Sequence, residues 1–259
     1  MSKRFENRTA IVTGAARGMG RAITAAFLAE DASVVMLDVD APGVEVAAAE
    51  LDPDGGRTLA RGCDVTSAED AEVAVAAAVE RFGGVHCLVN CAGTLSLAPF
   101  WELTEEQWDT TMDVNSKGVF LMMRAALPAL QASGAGSIVN IASQSGKRGE
   151  ALLAHYCASK AAVILLTRAA ALELAPAVRV NSVCPGYVDT AMQDQAAAYV
   201  SAETGTPVPT LMDEWIKEVP MGRFQQADDV AKLVVFLASD DASEITGEDV
   251  NITGGLMMF

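Results

Sequence analysis

Thr9-Ala10-Ile11-Val12-Thr13-Gly14-Ala15-Ala16-Arg17-Gly18-Met19-Gly20 is a short apolar run that passes directly into a glycine-rich turn and then into a helical pattern. An apolar run this short, rich in β-branched residues, reads as a strand buried on both faces, as in a parallel sheet. The glycines let the backbone approach a bulky anion. The helix behind them offers free N–H groups and the positive end of its dipole. A second apolar run, 33–38, ends in Asp38. Strand, glycine turn, helix, strand and acid, in that order, make the arrangement that holds a dinucleotide pyrophosphate and its ribose.

The same alternation continues. Apolar runs recur at 9–13, 33–38, 58–64, 87–90, 137–143, 178–185 and 250–253. Helical patterns lie between them at 18–31, 42–51, 67–82, 104–133, 156–175 and 227–239. This predicts one α/β domain over 1–259, a Rossmann-type doubly wound parallel sheet of about seven strands with helices on both faces. Residues 189–220 break the rhythm. They hold Gly205, Pro207, Pro209 and Pro220, and are expected to form a long irregular insertion that covers a site as a lid.

Bulk properties narrow the partners. Hydrophobic residues make up 51% of the 259, enough for a large core. A net charge of −16 argues against nucleic acid and anionic membranes as partners. Residues 1–8 are polar and no apolar run reaches about 18 residues, so neither a secretory leader nor a membrane span is expected. The 5 cysteines are odd in number and not closely paired, which points to reduced thiols in the cytoplasm. His86 and His155 are the 2 histidines, which speaks against a Ser-His-Asp hydrolase or a His-based zinc site; no metal is expected.

Tyr156 and Lys160 stand one helical turn apart on one face of the 156–175 helix. Bringing a phenol from about 10 to about 7 takes about 4 kcal/mol. One positive charge about 4 Å away supplies about that at an effective dielectric of about 20. Lys160 is therefore expected to lower the Tyr156 pKa and make it a general acid and base. A helix that happens to carry Tyr and Lys is the bland alternative.

Gly14-x-x-x-Gly18-x-Gly20, Asn90-Cys91-Ala92-Gly93, Asn115, Ser143, Tyr156-x-x-x-Lys160 and Pro185-Gly186 together resemble the short-chain dehydrogenase/reductase family, over nearly the whole chain. Cys91 departs from the second Asn usual there. The resemblance implies that Tyr156 exchanges a proton with the substrate oxygen while Lys160 tunes it and binds the nicotinamide ribose. Ser143 would hold the substrate oxygen, and Asn115 would kink its helix and hold a water. By the same resemblance Gly14, Arg17, Gly18, Met19 and Gly20 hold the pyrophosphate, and Asp64 and Val65 the adenine. Asn90, Ala92 and Gly93 would line the ribose and nicotinamide, and Pro185, Gly186, Val188 and Thr190 the carboxamide and pyrophosphate side. Asp38 would bind the adenosine ribose hydroxyls and repel a 2′-phosphate. That favours NAD over NADP, although Arg17 is a basic residue of the kind that helps bind the phosphate in NADP-using relatives.

The implied reaction is reversible hydride transfer between NAD and a secondary alcohol or ketone. The stretch 142–152 resembles bacterial sorbitol-type polyol dehydrogenases, and Gln144 and Glu150 would bond extra hydroxyls. Alternatives are a 3-oxoacyl-carrier-protein reductase, which needs NADPH and a basic patch, and a non-catalytic dinucleotide-binding protein. A homotetramer is expected, because the 156–175 helix is apolar over most of its circumference and the chain ends in Leu256-Met257-Met258-Phe259.

Overall fold

The computed structural model describes residues 3–259, so Met1 and Ser2 of the polar opening segment lie outside it. Seven strands appear among the described residues: β1 (Thr9–Thr13), β2 (Ser33–Asp38), β3 (Thr58–Gly62), β4 (Cys87–Asn90), β5 (Gly136–Ile141), β6 (Val178–Pro185) and β7 (Asp249–Ile252). They form one sheet in the order β3-β2-β1-β4-β5-β6-β7, every neighbouring pair parallel. The order reverses between β1 and β4, which opens a crevice at their carboxyl ends.

Side chains along each strand alternate between two cores, as a period of two requires. Val12, Val34 and Met36 face one core with Ile23 and Phe27 of α1 (Gly18–Ala29), Val44 of α2 (Ala41–Leu51) and Val234 of α9 (Ala227–Ala238). Ile11, Val35 and Leu37 face the other with Val75 of α3 (Ala68–Phe82), Met122 of α5 (Gly118–Ala132) and Val163 of α6 (Ala154–Leu174). Helices thus cover both faces, as the continuous apolar strands predict.

Two elements differ from the sequence expectation. The pattern at 104–133 is one unbroken helical run but not a uniform one: α4 (Glu105–Met112) and α5 are joined by a π-helical turn at Asp113–Lys117, around the Asn115 expected to kink the helix. Such a turn holds one extra residue and is a common device at functional sites. The 189–220 segment is not irregular. It folds into α7 (Ala191–Thr204) and α8 (Val208–Glu218). Gly205 ends α7 with φ +73°, and Pro207 and Pro209 sit at the start of α8, where a missing N–H costs nothing.

Candidate active site

The glycine turn is built for close approach. Gly14 has φ +67°, and a Cβ there would lie 2.9 Å from the Ala92 Cα. A Cβ on Gly20 would meet the Gly14 carbonyl oxygen at 2.0 Å. The turn is therefore folded back on α1 with no room for side chains, which leaves the helix N-terminus open. Thr13 Oγ1 accepts from the N–H of Cys91 at 2.9 Å and of Ala92 at 3.0 Å, clamping the ends of β1 and β4 together across the crevice.

A cavity of about 680 Å³ runs along this crevice. Gly14, Arg17, Gly18, Met19 and Gly20 line it, as do Asp38, Asp64, Val65, Ala92, Gly93 and Thr190. The fit to a dinucleotide is direct: a stripped glycine cradle at a helix N-terminus, then a carboxylate at the end of β2. Asp38 Oδ2 accepts from Ala16 N–H and Oδ1 from Asp40 N–H, both at 3.0 Å. Each oxygen keeps a lone pair for a ribose hydroxyl, so the turn role and the binding role coexist. Cys91 also lines this cavity, and burial pushes its thiol up to about 12, so it is present as the neutral thiol.

A second cavity of about 220 Å³ meets the first at Met19, Thr190 and Met192, which line both. Ser143 and Tyr156 stand on its wall with Gln144 and Glu150, and Trp215 of α8 covers it. Pro185, Gly186 and Val188 line this second cavity, next to where it joins the first. Thr190 alone of that group reaches both.

Ser143 lies just beyond β5 with an extended backbone. Its Oγ accepts from Ser145 N–H at 3.1 Å, and of the two serines it is the one whose side chain bears on the Tyr156 pKa. Burial pushes Tyr156 up to about 12, with the neighbouring Ser143 side chain pulling against it and the charge of Glu150 adding to it. Lys160 is not among the groups that move it. Its ammonium sits 5.7 Å from the ring centroid, donates to Ile141 O at 2.9 Å, and is itself brought down to about 8 by burial. Spacing places the two residues on one face, but the long Lys side chain runs to the sheet instead of the phenol.

Gly93 keeps that ammonium reachable. A Cβ there would lie 3.7 Å from Lys160 Nζ and 3.3 Å from Asn115 Oδ1. Asn115 sits fully buried in the π turn. Its Oδ1 accepts from Thr94 N–H at 2.8 Å, and its Nδ2 donates to Thr94 O at 3.0 Å and to Ser159 Oγ at 3.1 Å. The side chain therefore ties the segment after β4 to the catalytic helix. Asn90 is corrected too. It is buried inside the sheet, donating to Asn140 Oδ1 at 2.8 Å, while Asn140 donates to Thr167 at 2.9 Å. It supports the cavity floor from behind and lines neither cavity.

Sequence reasoning missed Val114 and Asp113 on the first cavity and Leu95, Leu97 and Tyr187 on the second. These come from loops and from the π turn, where no periodicity marks a wall. Among the described residues no group of three or more His, Cys, Asp or Glu is placed to hold a metal, and no helix is long and apolar enough to cross a membrane.

A family model described as enoyl-(acyl carrier protein) reductase matches residues 14–257. The chain belongs to the short-chain dehydrogenase/reductase family. This family member is 39% identical over 257 residues to galactitol 2-dehydrogenase of Agrobacterium fabrum, covering 98% of this chain and 99% of that one. It is 37% identical over 257 residues to sorbitol dehydrogenase of Cereibacter sphaeroides, again over 98% and 99% of the two chains. A crystal structure titled short-chain dehydrogenase/reductase, glucose/ribitol dehydrogenase, from Brucella melitensis superposes with TM-score 0.90 at 40% identity, over 100% of both chains. As a short-chain dehydrogenase/reductase the chain is an oxidoreductase of secondary alcohols, served by a nicotinamide dinucleotide.

Proposed function

We propose that this chain interconverts one secondary alcohol of a polyol and the corresponding ketone, with NAD as hydride carrier, and that it does so as a cytoplasmic homotetramer. The observation that carries the reading is the Tyr156 phenol, sharing with Ser143 the wall of a cavity that opens into the glycine-lined crevice. Bound in that crevice, the nicotinamide would accept or return the hydride. Tyr156 holds or takes the proton at the substrate oxygen, Ser143 fixes that oxygen, and Lys160, reached past Gly93, holds the ribose.

The polyol assignment rests on Gln144. Its side chain is buried, its Nε2 donates to Glu150 Oε1 at 3.4 Å, and its Oε1 has no partner within the protein. Gln144 and Glu150 both line the second cavity, so polar groups stand beside the place of the reacting carbon for a second hydroxyl, and a lone secondary alcohol is the poorer substrate. The names of the galactitol and sorbitol relatives agree. A carrier-protein reductase is disfavoured by Asp38 and by the net charge of −16. A non-catalytic role would leave the intact Tyr156–Lys160–Ser143 set without use. Helices α7 and α8 act as the lid, with Trp215 stacked on Tyr187 at 5.8 Å.

A panel of galactitol, sorbitol, threitol and 2-propanol with NAD+ or NADP+, read by the absorbance of the reduced cofactor, tests this. Polyols are expected to be oxidised faster than 2-propanol, with NAD+ preferred at least about tenfold, or about 1.4 kcal/mol. Asp38→Ala should narrow that preference mainly by improving NADP+ use. Oxidation of 2-propanol alone would remove the polyol class; equal use of both cofactors would remove the role of Asp38.

The tetramer is supported by Leu165 and Leu172, which stand 63% and 86% exposed on α6. Met257 is buried against its own chain, its N–H donating to Thr253 Oγ1 at 3.1 Å, which corrects the expectation that the whole tail needs a neighbour. Met258 and Phe259 remain exposed. Light scattering at micromolar concentration should give about four times the chain mass. A monomer mass would refute the assembly.

A further inference from the structure

The segment that follows β4 is anchored at alternate residues. Thr94 is held by Asn115 through both of its main-chain groups. Ser96 Oγ lies 2.8 Å from His155 Nε2. Ala98 N–H donates to Leu152 O at 3.0 Å. The residues between them, Leu95 and Leu97, line the second cavity. Leu95 and Leu97 are thus each flanked by residues fixed to the body, which holds them in the wall.

The middle anchor is unlike the outer two, because it runs through a side chain. His155 is fully buried in the first turn of α6, next to Tyr156. Burial holds its pKa below the ordinary value, so the ring is neutral and carries one N–H and one lone pair. Its Nδ1 has no partner within the protein. Ser96 is thus the one hydrogen-bonding contact shown for the ring, and the ring spans the gap between the catalytic helix and the cavity wall.

We infer that His155 is a positioning residue: through Ser96 it sets the distance between the Leu95–Leu97 wall and the Tyr156 phenol, and thereby the fit of the alcohol. Because His155 and Tyr156 are neighbours on one helix turn, the wall and the phenol share one reference point. The cofactor crevice lies on the far side of Gly93 and Thr94, which Asn115 anchors independently. The inference rests on the reading of the second cavity as the alcohol site.

Ser96→Ala and His155→Phe remove the contact from either end, and His155→Gln keeps a side chain with a terminal N–H donor. Steady-state kinetics with the best polyol of the panel should show the alcohol KM raised about tenfold in the first two variants, the size of one well-made hydrogen bond. The NAD+ KM should stay within about twofold, and the double variant should be no worse than either single one. His155→Gln should recover most of the loss. A Ser96→Ala enzyme whose alcohol KM is unmoved overturns the assignment, as does one whose kcat falls and whose NAD+ KM rises along with the alcohol KM. If His155→Phe does not fold, Ser96→Ala alone decides. A wild-type enzyme that oxidises no polyol overturns the reading of the cavity; a wild-type enzyme that does, with Ser96→Ala unmoved, overturns only the role of His155.

Discussion

Tyr156→Phe should lose turnover by at least about a thousandfold while NADH still binds with an affinity near that of the wild type. The phenol oxygen is the one proton-exchanging group placed beside Ser143 on the second cavity. General acid–base catalysis of this kind contributes about 10²–10⁴-fold. The Phe ring fills the same volume, so packing is kept and the crevice that binds NADH is untouched. Fluorescence titration of NADH and a turnover assay separate the two properties. Turnover within tenfold of wild type would remove the acid–base role. The pKa of Tyr156 adds a direction. Burial holds it up to about 12, so at pH 7 the phenol is neutral and ready to donate, which suits carbonyl reduction. Alcohol oxidation needs it deprotonated, so its rate should rise with pH above neutrality, and a profile that is flat from about pH 7 to about pH 10 would contradict this.

Lys160→Met should lower kcat by at least about a hundredfold and raise the NAD+ KM by about tenfold. The substitution keeps the apolar stem and removes the ammonium. Two losses are expected because the proposed function gives Lys160 both the ribose and the phenol to serve; Nζ lies behind Gly93 and 5.7 Å from the Tyr156 ring centroid, and donates to Ile141 O. A change in the NAD+ KM alone would leave Lys160 with the ribose role only.

The fold was legible because its signals are local and redundant. A continuous apolar run such as Val34-Val35-Met36-Leu37 has no amphipathic alternative, and a parallel sheet is the structure that buries it on both faces. The lid was misread because Gly205, Pro207 and Pro209 were weighed as breakers, when they punctuate the junction of two helices. The pattern at 104–133 could not reveal the π turn, since one inserted residue hardly disturbs apolar periodicity. In the site, the glycine turn, Asp38, Ser143 and Tyr156 were legible because each is fixed by a nearby chain direction. The path of Lys160 Nζ, the burial of Asn90 and the clamp of Asn115 on Thr94 were not, because each depends on what a distant segment offers. The contact of Ser96 with His155 joins residues 59 apart and leaves no pattern in the chain at all.

The central claim is hydride transfer between a polyol carbon and NAD with proton exchange at Tyr156. Its most direct test uses a polyol deuterated at every carbinol carbon, with NAD+ as acceptor and proton NMR of the reduced cofactor. One deuterium per turnover is expected on the nicotinamide carbon para to the ring nitrogen, on a single face, and none with Tyr156→Phe. Deuterium released to water, or reduced cofactor formed without it, would contradict the account.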